Sequence, residues 1–113
     1  MLAKKYLLNK KEVFLLKQRG KPIYKTDFFN VIALKIPDEN ILKFTFIISK
    51  KASKKAVERN RAKRMLAKAI QVNLGKFNKG YHIGFYLNEK IITADYEEIY
   101  NLVTQKISKI SLL

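Results

Sequence analysis

The chain has 113 residues, with 24 Lys and Arg against nine Asp and Glu, a net charge of +15 and a sequence pI near 10.1. It has no cysteine and one histidine, His82, which excludes disulfide scaffolds and thiolate zinc sites and leaves histidine-based metal or nucleophile chemistry almost nothing to work with; no apolar run approaches the ~18 residues of a spanning helix. A hydrophobic fraction of 48% is enough for one domain, residues 1–113, to build a core without staples, and the lysine-rich start lacks a secretory signal, so a soluble cytoplasmic protein is expected.

Asn9 and Glu12 are spaced as a capping box, with Leu8 and Val13 flanking them as a hydrophobic staple. A short helix is expected from Lys10 to Arg19, stopped by Gly20. Ile23 to Lys25 can add a short strand. Phe28 to Ile36 is β-branched and aromatic and reads as a strand. Phe28, Ile32, Leu34 and Ile36 share one of its faces, and Phe29, Val31, Ala33 and Lys35 the other. The second set ends in a charge, so that face is expected to meet solvent or a ligand. After a Pro37–Asn40 turn, Leu42 to Ser49 reads as a second long strand with Leu42, Phe44, Phe46 and Ile48 on one face. The two long strands are expected to pair as a hairpin.

Ser53 is placed as the N-cap of a helix. Ala62, Met65, Leu66, Ala69, Ile70 and Leu74 form its apolar stripe. Asn60, Arg61, Lys63, Arg64 and Lys68 occupy the remaining arc, Arg59 its edge, and Val57 is apolar on the polar side. Gly75 and Gly80 bracket a loop, and Tyr81 to Leu87 is a short apolar strand. Asp95 and Glu98 make a second capping box before a final amphipathic helix carrying Tyr96, Ile99, Tyr100, Val103, Ile107 and Ile110.

Charge is concentrated in the middle of the chain. Between Ser49 and Lys68 there are nine cations and one acid, Glu58, a net +8. Lys54, Lys55, Arg59 and Arg61 crowd a predicted helix start, where the backbone already carries partial positive charge and each added cation costs ~0.3–1 kcal/mol. The fold gains nothing from this arrangement. A bound polyanion would gain both the side chains and the free N–H groups of the first turn. Nucleic acid is the expected partner, and a membrane is not.

Ile48-Ser49-Lys50-Lys51 followed by Ala56-Val57-Glu58-Arg59-Asn60-Arg61-Ala62-Lys63-Arg64 resembles the signature of the bacterial ribonuclease P protein component: a strand ending in S-K-K, a short basic linker, and A-V-x-R-N-R-x-K-R on a helix. The likeness covers nearly the whole chain in family order. It implies an α+β fold, a two-layer α/β sandwich of order αβββαβα, whose mostly antiparallel sheet includes a left-handed βαβ crossover. It implies the protein subunit of an endoribonuclease whose RNA subunit performs the chemistry, removing the 5′ leader from precursor tRNA. Magnesium would then be bound through the RNA, with no cofactor, metal or catalytic residue on the protein. The side-chain inventory agrees, since the nine acids are scattered and several have capping or turn roles.

Two surfaces follow from the resemblance. Lys50, Lys51, Lys54, Lys55, Arg59, Asn60, Arg61, Lys63, Arg64 and Lys68 correspond to the family's surface for the ribonuclease P RNA. Val13, Phe14, Lys17, Phe29, Val31 and Lys35 are the candidates for a cleft holding the single-stranded leader. This chain departs from the family in that cleft: Val13 and Lys17 stand where aromatics are usual, and Asn88 where Arg is common. The alternative is a ribosomal or other structural RNA-binding protein with the same sandwich and no role in tRNA processing.

Overall fold

Capping sets the start of two helices. In α1 (Lys10–Arg19) the Asn9 side chain accepts from the Glu12 N–H at 2.8 Å, and Glu12 Oε1 accepts from the Asn9 N–H at 2.9 Å. Asp95 and Glu98 form the same reciprocal pair at 2.8 and 3.2 Å ahead of α3 (Tyr96–Gln105). The computed structural model describes residues 2–111. The final helix is not continuous: Lys106, at φ −106° and ψ 16°, leaves helical geometry, and a short α4 (Ile107–Ile110) follows.

The sheet holds four strands, β1 (Lys21–Lys25), β2 (Phe29–Lys35), β3 (Leu42–Ile48) and β4 (Tyr81–Leu87), in the order β1-β2-β4-β3. The early optional strand is thus real. β1–β2 and β2–β4 are antiparallel; β3–β4 is parallel and joined through α2 (Ala56–Val72). The expected β2–β3 hairpin does not form, because β4 lies between them. The reason is burial on both faces: only Tyr81 and Tyr86 of β4 are partly exposed, so this strand belongs at the centre. The β2–β3 turn straddles the start of β4. There Ile36 N–H donates to Gly80 O at 2.9 Å, and Gly80 N–H donates to Ile41 O at 2.6 Å. Gly80 has φ +91°, a conformation that favours a residue without Cβ.

Strand parity divides the sheet into two faces. On one, Phe29, Val31, Ala33, Leu42, Phe44, Ile83, Phe85 and Leu87 are buried and form a core with α2 and α3. Phe85 is central, with its ring 5.5 Å from Phe29, 6.2 Å from Phe44 and 5.4 Å from Phe46. The charge at Lys35 therefore misreads this face: it is the main core, and only its last residue emerges. The opposite face carries α1. Leu16 is fully buried there against Gly84 and Ile32. A Cβ at Gly84 would lie 2.9 Å from Leu16 Cδ2 and 3.1 Å from Ile32 Cγ1, so the glycine lets the helix sit close to the strand.

Candidate nucleic-acid interface

Unlike α1 and α3, α2 starts without a side-chain cap. Its N-cap residue is Lys55, not Ser53. The Ser53 hydroxyl lies ahead of the helix, accepting from the Lys55 N–H at 3.2 Å and donating to Glu58 Oε1 at 2.6 Å. The one acid in the segment is thereby engaged by a hydroxyl. Among the described residues, no carboxylate lies within ion-pair distance of any of the nine cations between Lys50 and Lys68. Lys50, Lys51, Lys54 and Lys55 are exposed on the turn leading into the helix. The stripe of Ala62, Met65, Leu66, Ala69 and Ile70 faces the core as expected, which turns the basic arc outward.

The candidate cations have different partners. Arg59 Nη1 donates to Ser53 O at 2.8 Å, tying the helix to the preceding loop. Arg61 reaches across to the segment before α3, with Nη1 3.4 Å from Ile92 O and Nη2 3.3 Å from Ala94 O. Arg64 is exposed at the centre of the arc. With Val57, Asn60 and Lys63 it lines an open depression of about 400 Å³. Val57 is 77% exposed there, so the apolar residue on the polar side belongs to this surface. On the other flank, Lys68 lies with its Nζ 4.7 Å from the centre of the Tyr96 ring.

The leader candidates do not come together. Phe29 and Val31 are fully buried in the core, and Lys35 lies on that same face, opposite α1. They cannot line a groove beside α1. Val13, Phe14 and Lys17 do share a depression on α1, with Lys10 and Gln18, and Phe14 is 51% exposed. The sheet face beneath α1 carries the other parity: Asn30, Tyr86 and Ile47 form one cross-strand row, with Thr45 beside it, and all four are at least partly exposed. Strand alternation is compatible with either face being buried, and the apolar set of Phe29, Val31 and Ala33 outweighs the terminal lysine. Asn88 has a structural role, donating through Nδ2 to Asp27 O at 2.6 Å and accepting from the Lys90 N–H at 2.9 Å.

Where α1 crosses the sheet, Glu12 bridges Lys43 at 3.2 Å and lies 3.8 Å from His82 Nε2. Burial pushes the Glu12 carboxyl up, but the Asn9 N–H, Lys43 and His82 together hold it below the usual carboxylate value. Burial holds His82 below its ordinary value, with Glu12 opposing and Lys43 adding to the effect. The net shift favours the neutral imidazole. Among the described residues, no three His, Cys, Asp or Glu side chains are grouped so that they could hold a metal ion, and no helix is long and apolar enough to cross a membrane.

No curated protein sequence matches the chain significantly. The fold is that of solved structures. It resembles the RNase P protein from Thermotoga maritima at 20% identity with a TM-score of 0.76, over 95% of this chain and 96% of that one. It resembles the Staphylococcus aureus RNase P protein at 21% identity with a TM-score of 0.79, over 96% and 99% of the two chains. The family model for ribonuclease P matches residues 2–111. A match of that length, on a chain whose basic helix carries the family signature, shows that the protein belongs to the ribonuclease P family as its protein subunit.

Proposed function

We propose that this protein subunit of ribonuclease P, which acts with a catalytic RNA to process the 5′ leaders of precursor tRNA, divides its partners between two faces of one domain. The α2 face binds the RNA subunit through Lys50, Lys51, Lys54, Lys55, Arg59, Asn60, Arg61, Lys63, Arg64 and Lys68. The observation that carries this assignment is the start of α2: uncapped, crowded with cations, and without a carboxylate partner among the described residues. Against four cations that end has one acid, Glu58 in the first turn, and RNA phosphates would satisfy the excess. Arginine suits the centre of the face because its fork matches phosphate oxygens and its plane stacks on bases.

The leader lies on the opposite side of the sheet, between α1 and the open row of Asn30, Tyr86 and Ile47. Val13 and Lys17 form the helical wall, and Phe14 lies further out. Tyr86 supplies the ring that Val13 and Lys17 lack. Stacking on an aromatic is sequence-tolerant and is worth ~1–3 kcal/mol per base, which suits a leader of variable sequence. The test is the affinity of the assembled enzyme for precursor and for mature tRNA. Tyr86→Ala is expected to weaken precursor binding ~5- to 100-fold and leave mature tRNA binding unchanged, since only the precursor has a leader. Equal losses for both, or no loss for either, would remove Tyr86 from the cleft.

A further inference from the structure

We propose that the seam between α2 and α3 stacks an unpaired base of the RNA subunit, with the Tyr100 ring as platform and Lys68 and Arg64 as contacts for the neighbouring phosphates. This rests on the reading that the α2 face binds that RNA, and it extends the interface onto a second helix. Tyr96 and Tyr100 are one turn apart on α3, their ring centres 5.9 Å apart and their planes at 39°. The core does not require Tyr100, because Ile99 and Val103, both fully buried, already supply the inward side of α3. One ring of the pair is covered by a cation, Lys68 over Tyr96 at 4.7 Å. Tyr100 remains 37% exposed.

The flanking charges say what kind of partner fits. Arg61, Arg64, Met65, Lys68 and Tyr96 line an open depression of about 270 Å³. Arg61 is held by backbone carbonyls, whereas Arg64 and Lys68 have no carboxylate partner among the described residues. Val72, 57% exposed, stands one turn beyond Lys68 on α2. A nucleotide from an unpaired stretch presents an apolar ring face beside a phosphate, and the seam presents an aromatic face beside cations. The interior of a duplex has no free ring face to offer.

Stacking and phosphate contact respond differently to salt, and this separates the proposal from the reading beneath it. Affinity for the ribonuclease P RNA of the same genome is measured across a salt series for wild type, Tyr100→Leu, Tyr100→Phe and Arg64→Ala. Tyr100→Leu is expected to weaken binding ~5- to 100-fold with an unchanged log–log salt slope, and Tyr100→Phe to bind as wild type. Arg64→Ala is expected to weaken binding and flatten the slope by ~1. On a blunt 20-base-pair RNA duplex, used as a probe, Tyr100→Leu is expected to bind as wild type. An unaffected Tyr100→Leu with a weakened Arg64→Ala would overturn the stacking seam and leave the basic face standing. If neither variant is affected, both fall. A Tyr100→Phe loss equal to that of Tyr100→Leu, or a Tyr100→Leu loss on the duplex, would also overturn it.

Discussion

Arg61 and Arg64 stand three positions apart on the same basic arc, yet their guanidinium groups meet different partners. Arg61 donates to Ile92 O and Ala94 O, so it clamps α2 to the segment before α3. Arg64 makes no such contact and is exposed. Both alanine variants should bind RNA less tightly, but they should differ in stability. Arg61→Ala is expected to lose about 1 kcal/mol, a drop of ~4 °C in Tm, because two partly exposed charge-assisted hydrogen bonds disappear. Arg64→Ala is expected to melt with the wild type. Thermal melts followed by circular dichroism check this, and equal melting of the two variants would show that the Arg61 contacts carry no stability. The arginines of the signature were legible as a group from their spacing and charge. That Arg61 also braces α2 against a distant segment was not, because its partners lie more than 30 positions away in the chain.

Between elements, the docking of α1 onto the sheet should be sensitive to acid. His82 has a native pKa held below its ordinary 6.5 by burial, so the unfolded chain takes up the proton first as pH falls. Stability is therefore lost from about pH 6.5 downward. Glu12 has a native pKa below its ordinary 4.5, so its contribution is present above that value and is lost as pH falls through the native one. Melting temperature should be flat above pH 7 and decline in two stages below it. His82→Gln should remove the upper stage, which begins near pH 6.5, and keep the lower. A variant as pH-sensitive as the wild type in that upper window would contradict the account. Local signals in the sequence located these elements well: the Asn9 and Asp95 boxes, Gly20 and the β4 run all stand where they were expected. Pairing was less legible. The hairpin expectation rested on adjacency in the chain, and β4, buried on both faces, takes the central place instead. The floor of the cleft was not legible for a related reason: Phe29 and Val31 fit a core face as readily as a ligand face, and the structure buries them in the core.

At the scale of the whole molecule, a net charge of +15 on 113 residues suits the protein to polyanionic partners. Catalytic RNA and precursor tRNA repel one another, and magnesium is otherwise needed to screen them. A compact polycation contacting both lowers that requirement without performing any chemistry. Several acids are used structurally: Glu12 at the α1–sheet contact, Asp38 in a turn with the Asn40 N–H, Glu58 at Ser53, Asp95 and Glu98 in a cap. The most direct measurement is single-turnover cleavage of precursor tRNA by the RNA subunit, titrated with magnesium in the presence and absence of this protein. The account predicts that the protein moves the magnesium dependence to lower concentration and that the two cleavage rates converge when magnesium saturates. An unmoved magnesium dependence, or cleavage that needs the protein even at saturating magnesium, would contradict it.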